Sequence, residues 1–140
     1  MRSKLLTCLL AVTSILYLPL ARAGDDYLII VNKDNANTVT SDFVAKAYRG
    51  EAKTWPAGGS VTTVTLYDES ATRAAFDKAV LGKSPGQSRA MWAQLTFTGK
   101  AVPPKMVESD EEAIKVVSEN KNAIGYVSPK ANVGAVKVVK

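Results

Sequence analysis

Short apolar runs of strand length alternate with longer segments that carry helix-capping residues, and this alternation is what most constrains the fold. DYLIIVNK at residues 26–33 is a nearly continuous apolar run, as expected of a strand buried on both faces. VTTVTLY at 61–67 and AIGYV at 123–127 are strongly β-prone, and GAVKVV at 134–139 fits a last strand. Strands separated by helices predict one α/β domain with a layered, mixed and mostly parallel sheet flanked by helices.

Four segments between these runs are predicted to be helical. Each begins at a Ser or Thr, whose side chain can accept a hydrogen bond from an N–H of the first turn. Gly50 and Gly82 are well placed to end two of them. KAVPPK at 100–105 is instead predicted to run extended over the surface, since two prolines exclude a helix. The helical segments begin near residues 40, 71, 84 and 109.

The first 23 residues differ from the rest of the chain. MRSK is a basic start, residues 5–20 are an apolar run, and ARA ends at Ala23 with the spacing of a signal-peptidase site. The apolar run is shorter than the ~20 residues that a membrane-spanning helix needs. These features predict a signal peptide over residues 1–23 and a domain over 24–140. The domain is then periplasmic or otherwise exported, with no membrane span after cleavage.

Removal of the signal changes both the charge and the available chemistry. The whole chain has a net charge of +5, but three of its basic residues lie in the signal, which leaves 15 basic and 13 acidic residues. No basic run with interleaved aromatics occurs, so no nucleic-acid partner is predicted. There is no His, and Cys8 lies in the signal. His- or Cys-based catalytic triads and ordinary zinc sites are excluded, and we predict no enzyme activity, metal or cofactor.

The stretch LYDESATRAAF at residues 66–76 is the candidate functional site. It closes a strand and opens a helix, which is where ligands bind in α/β sheets. The N–H groups of a first helical turn have no internal partner, and the helix dipole adds partial positive charge, so an oxyanion can bind there. Ser70 and Thr72 could add hydroxyl donors, and Arg73 could add a bidentate guanidinium.

The same residues also fit an ordinary helix cap. Ser70 or Asp68 would cap the helix, Glu69 would suit its positive end, and Arg73 would form a local ion pair. A cation in the first turn opposes the dipole by a few tenths of a kcal/mol, unless an anion or a nearby acid compensates it. An acid beside a bound dianion repels it unless the acid accepts a proton from it, which favours hydrogen phosphate over sulfate. Both interpretations are open on local chemistry.

Three segments in this order resemble the phosphate-binding proteins of ABC transporters. ESATRAAF at 69–76 resembles the family's Gly-Ser-Gly-Thr-x-x-x-Phe segment, which opens a helix whose N-terminus holds phosphate. AIGYVS at 123–128 is similar to a family strand, and residues 40–55 are similar to the family's helix ending in Gly-Lys-x-x-x-Trp. The resemblance runs from about Leu28 to Ser128. It implies a type II periplasmic binding protein-like domain, similar to one lobe of those proteins.

The resemblance also implies a ligand site, with departures from the family pattern. Ala71 stands where the second Gly would be, so the backbone N–H is kept but close approach is harder. Glu69 replaces the preceding Gly, and Leu66 stands where the family often has an Arg. Arg73 could substitute for that lost cation. The implied ligand-binding residues are Asp68, Ser70, Ala71, Thr72 and Arg73.

The transporter proteins of this family have two lobes, and this chain is long enough for one. The implied function is therefore an exported, non-enzymatic binding protein for phosphate or a similar small oxyanion, whose site a second protein or a homodimer could complete. The alternative is an envelope protein-interaction module that kept the fold but lost high-affinity anion binding. Trp92 and Phe97 could stack on a ligand, but their helical spacing beside Met91 and Leu95 predicts core positions.

Overall fold

The computed structural model describes residues 26–139, which form one five-stranded sheet with helices packed on its faces. The predicted signal peptide over residues 1–23 lies outside the described residues. None of the helices within 26–139 is both long enough and apolar enough to cross a membrane.

The strands lie in the order β3-β2-β4-β1-β5. β2 pairs in parallel with β3 and with β4, whereas β1 is antiparallel to both of its neighbours, β4 and β5. Four of the five strands therefore run in one direction and β1 runs in the other, which confirms the predicted mixed, mostly parallel α/β sheet. The strands are β1 Leu28–Val31, β2 Thr62–Leu66, β3 Lys105–Val107, β4 Ala123–Val127 and β5 Lys137–Val139.

The four predicted helices are present, each with a Ser or Thr side chain that accepts a hydrogen bond from the first turn. The second helix continues into a π-helical turn, Asp77–Leu81, and ends at Gly82, whose φ of 64° suits glycine. The helices are α1 Ser41–Tyr48, α2 Ala71–Phe76, α3 Pro85–Phe97 and α4 Asp110–Glu119.

Residues of β4 organise the core on both faces of the sheet. On one face the ring of Phe76 stacks on Tyr126 with a centroid distance of 3.9 Å, and Tyr48 packs edge-on against Phe76 at 4.7 Å. On the other face Gly125 leaves room for α4, because a Cβ there would lie 3.3 Å from Val117. These contacts hold α2 and α4 against opposite faces, with their N-termini at the same edge of the sheet.

Strand β3 was missed by the sequence prediction. Its three residues follow Pro103 and Pro104 directly and pair in parallel with β2, with Val107 opposite Leu66. The predicted extended segment therefore ends in an edge strand. The prolines and Lys105 are typical of an edge that discourages further pairing.

The predicted core position of Phe97 is wrong. Phe97 is 93% exposed, whereas Trp92 is buried and donates its indole N–H to the carbonyl of Tyr48 at 3.1 Å. A helix turns by about 100° per residue, so Phe97 lies on the opposite side of α3 from Leu95. A helix that turns Trp92 and Leu95 inward must turn Phe97 outward.

Candidate functional site

Two helix N-termini meet at the carboxyl edge of the sheet. The parallel strands β2 and β3 end level with each other, at Leu66 and Val107. Each strand is followed within a few residues by a capping serine and a helix, so the first turns of α2 and α4 adjoin. Between them lies a groove of about 330 Å³, lined by Leu66, Tyr67, Ser70, Ala71, Thr72, Glu108, Ser109 and Asp110.

The first turn of α2 presents hydrogen-bond donors to this groove. The hydroxyl oxygen of Ser70 accepts the N–H of Arg73 at 3.2 Å, which is the predicted helix cap. The backbone N–H groups of Ala71 and Thr72 donate to no other described residue. With the hydroxyls of Ser70 and Thr72, they form a set of donors that can bind an oxyanion.

The charged side chains of the groove are acidic. Glu108 is exposed, and Asp110 is half-buried and accepts the backbone N–H of Ser128 at 3.1 Å. Among the described residues that line the groove, none is basic. A dianion here is repelled by these carboxylates unless one of them accepts a hydrogen bond from a proton on the anion.

Arg73 lies behind the groove and is not part of its lining. Arg73 is buried, with 4% of its surface exposed. The Nη1 group donates to Asp68 Oδ1 at 2.5 Å and to the carbonyl oxygen of Leu66 at 3.0 Å, and Nε donates to Asp77 Oδ2 at 3.3 Å. These bonds tie α2 to the end of β2, so the guanidinium has a structural role.

Asp68 links two arginines. Its Oδ1 accepts from Arg73, and its Oδ2 accepts from Nη1 of Arg89 on α3. Both carboxylate oxygens of Asp68 are therefore engaged by guanidinium groups. The structure thus separates the five predicted site residues: Ser70, Ala71 and Thr72 line the groove, and Asp68 and Arg73 lie behind it.

Behind Arg73 lies a second, larger cavity of about 460 Å³. Its lining is mostly apolar and includes Leu81, Trp92, Pro103 and Met106. At its floor are polar side chains from α2, the π-helical turn and α3, namely Arg73, Asp77 and Ser88.

Burial shapes the chemistry of this floor. Desolvation raises the pKa of the Asp77 carboxyl, an effect that the guanidinium of Arg73 and the hydroxyl of Ser88 partly oppose. Ser88 is 2% exposed, and its Oγ makes no hydrogen bond of normal geometry with a described residue, although it lies near enough to Asp77 to influence that pKa. An unpaired buried hydroxyl is unusual.

Several residues of the two pockets carry no signal in the sequence that would place them there. Ser109 was predicted as a helix cap, but its place beside α2 depends on β3, which was not predicted. No sequence motif marks Asp77, Ser88 or Arg89, and only the fold brings these residues to Arg73.

A family comparison identifies the chain's superfamily. Residues 11–135 match the model of a PBP superfamily domain. No curated protein sequence matches the chain significantly.

Solved structures share this fold. An ABC-type phosphate transport receptor from Vibrio cholerae is 21% identical, with a TM-score of 0.65 over 83% of this chain and 46% of the receptor. A candidate phosphate ABC transporter substrate-binding protein from Clostridium perfringens, solved with bound phosphate, is 24% identical, with a TM-score of 0.63 over 83% of this chain and 44% of that protein. PstS from Borrelia burgdorferi is 17% identical, with a TM-score of 0.56 over 74% and 40% of the two chains.

The chain spans less than half the length of these three proteins. The three structures support the expected similarity of this chain to one lobe of a binding protein. At these sequence identities, the similarity is one of fold. Since the family match extends over most of the sequence, the chain belongs to the PBP superfamily.

Proposed function

We propose that the protein is an exported, non-enzymatic binding protein for phosphate or a closely related oxyanion, held at the N-terminus of α2. One observation carries this proposal: the N–H groups of Ala71 and Thr72 have no partner among the described residues, and they border a groove at which the first turn of α4 also begins. Such paired helix starts concentrate donors and partial positive charge.

Two further points support the proposal. Ser70 and Thr72 match the Ser and Thr of the phosphate-binding motif, and both line the groove. The similar structure from Clostridium perfringens holds phosphate, and that from Vibrio cholerae is described as a phosphate transport receptor.

The acids of the groove predict which oxyanions bind. Glu108 and Asp110 can accept a hydrogen bond from the proton of hydrogen phosphate or hydrogen arsenate. Sulfate carries no proton at neutral pH, so its oxygens meet the carboxylates with repulsion alone. We therefore expect phosphate and arsenate to bind and sulfate to bind much more weakly.

The open groove limits the affinity that this domain reaches by itself. α2 and α4 would contact the anion on one side, and the rest of the anion's surface would face solvent. A second protein or a second copy of the chain that covers the groove would strengthen binding, because desolvation strengthens hydrogen bonds to the anion.

The test is a calorimetric titration of the purified protein with phosphate, arsenate and sulfate, repeated on Ala71→Pro. Proline is tolerated at the first helical position but has no N–H, and Ser70, with φ −66° and ψ 124°, already has the conformation that precedes proline. Ser41→Pro makes the same change at the first position of α1, away from the groove.

We expect Ala71→Pro to lose phosphate affinity and Ser41→Pro to keep it. Absence of a measurable heat of binding at millimolar phosphate, or equal affinity for phosphate and sulfate, would contradict the proposed function.

Export has a separate test. After expression of the full chain in a bacterial host, the protein recovered from the envelope should begin at Gly24. An unprocessed N-terminus, or retention of the protein in the cytoplasm, would contradict this part of the proposal.

A second candidate is an envelope interaction module that kept the fold. The observation that favours it is the commitment of Arg73 to Asp68 and Asp77, which leaves the groove with acids and no basic side chain. This candidate predicts no heat of anion binding in the calorimetric titration. It also predicts a complex of fixed stoichiometry when intact cells are cross-linked. Anion binding by the isolated protein without any such complex would count against it.

A further inference from the structure

The cavity behind Arg73 has the properties of a small-molecule site. Its volume of about 460 Å³ lies within the ~300–1,000 Å³ typical of ligand pockets. Most of its accessible wall is apolar, and its charged side chains are Arg73, Asp77 and Arg89, of which the first two form an ion pair. Such a combination fixes the orientation of a ligand that has an apolar body and one polar group.

The polar end of the cavity offers unused hydrogen-bond donors. A guanidinium has five N–H groups. In Arg73, Nε donates to Asp77 and Nη1 donates to Asp68 and Leu66, while Nη2 donates to no described residue. The hydroxyl of Ser88 is buried, lines the same cavity and also lacks a partner of normal geometry.

A second guanidinium lies at the mouth of the cavity. The side chain of Arg89 is 67% exposed and uses one Nη1 contact to Asp68. The remaining N–H groups of Arg89 donate to no described residue and can bind a ligand. Asp77 is the one acidic side chain in the lining, and its pairing with Nε of Arg73 offsets its charge.

We propose that this cavity binds a small carboxylate with an aromatic or branched aliphatic body. The carboxylate accepts hydrogen bonds from Nη2 of Arg73, the hydroxyl of Ser88 and the guanidinium of Arg89. The body of the ligand packs against Trp92, Leu81 and Met106.

A carboxylate fits this cavity better than phosphate does. The apolar walls would desolvate a dianion at high cost, whereas a single charge on an apolar body needs donors at one end alone. The cavity shares no lining residue with the groove at α2 and α4. Binding here is therefore independent of oxyanion binding there, and the two can fail separately.

The test compares 3-phenylpropionate with 3-phenylpropionamide, which has the same shape and no charge. Binding to the full protein is followed by NMR chemical-shift titration. We expect saturable binding of the acid at millimolar concentration or better and binding of the amide at least about tenfold weaker. The shifting resonances should include the indole N–H of Trp92.

Matched variants locate the binding. Ala93→Phe places a ring in the cavity, whereas Ala90→Phe places one on an exposed part of α3 outside the lining. The first change should abolish binding of the acid and the second should leave it intact. Ser88→Ala should weaken binding of the acid several-fold.

Three results would overturn the inference: no saturable binding of the acid, equal binding of acid and amide, or binding that survives Ala93→Phe. Arg89→Gln provides a variant at an exposed position that folding does not depend on. Arg89→Gln should weaken binding of the acid and leave binding of the amide unchanged. An equal loss of affinity for both probes would also contradict a carboxylate site.

Discussion

The first turn of α2 has two sides with opposite character. On the groove side the donors are backbone N–H groups of Ala71 and Thr72, and the nearby charges are acidic. On the cavity side the guanidinium of Arg73 is buried, held by carboxylates and surrounded by apolar walls. Adjacent residues can serve different surfaces because a helix turns by about 100° per residue.

This difference changes how the motif is interpreted. In the sequence, Ser70 to Arg73 looks like a single set of anion ligands. In the structure the backbone of that set faces one pocket and its cation faces another. A positive side chain next to a phosphate-binding motif is therefore insufficient evidence that the side chain touches the anion.

The largest effect is expected from Arg73→Ala. The change leaves Asp68 and Asp77 without their buried partner, and breaking a buried ion pair costs about 3–5 kcal/mol. We expect a loss of this size in the free energy of unfolding, measured by urea denaturation. Arg89→Ala, which breaks an exposed pair with the same Asp68, should cost less than about 1 kcal/mol. If Arg73→Ala kept full stability and lost phosphate binding, the separation of the two sides would be wrong.

The next test is at the helix cap. Ser70→Ala removes the acceptor of the Arg73 N–H and should cost about 1 kcal/mol of stability as well as weakening phosphate binding. Ser70→Asp keeps a capping oxygen but adds a negative charge, so stability should be retained while phosphate binding is lost. Thr40→Ala, the same loss of a cap at α1, is the control. It should lower stability alone; a loss of phosphate binding there would show that cap energetics, and not the groove, control affinity.

The smallest effect concerns Asp77 and pH. Burial raises the pKa of its carboxyl, so ionisation is less favourable in the folded chain than in the unfolded chain. The stabilisation from this group is then full below the ordinary aspartate pKa of 3.8 and is lost as the pH rises through the raised folded value. Relative to Asp77→Asn, the wild type should lose unfolding free energy over that rise. Denaturant titrations of both proteins across acidic pH measure the difference, and a relative gain by the wild type would contradict the burial effect.

The sequence predicted the main elements because several local signals agree in each. The strand at Ala123–Val127 has the predicted bounds, since its apolar run is flanked by polar turns. The helices begin where serine or threonine caps were expected, and Pro85 occupies the first position of α3. The family motif also pointed to Ser70 and Thr72, which line the groove, and their role as anion ligands stays a prediction.

What the sequence did not predict depends on tertiary contacts. β3 has three residues after two prolines, so no periodic pattern identifies it, and without it the approach of Ser109 to α2 could not be inferred. Phe97 was placed in the core because apolar spacing does not show where helix packing ends. A local ion pair of Arg73 is one of the two interpretations of the sequence, but the burial of that pair and the cavity beyond it depend on the fold.

The most direct test of the central claim is a phosphate titration followed by amide NMR. If the anion binds at the start of α2, the backbone N–H resonances of Ala71 and Thr72 should shift downfield and saturate, while the Nε–H of Arg73 stays in place. Saturable shifts of the Arg73 side chain with unmoved Ala71 and Thr72 amides would contradict the account, because the anion would then be held on the cavity side.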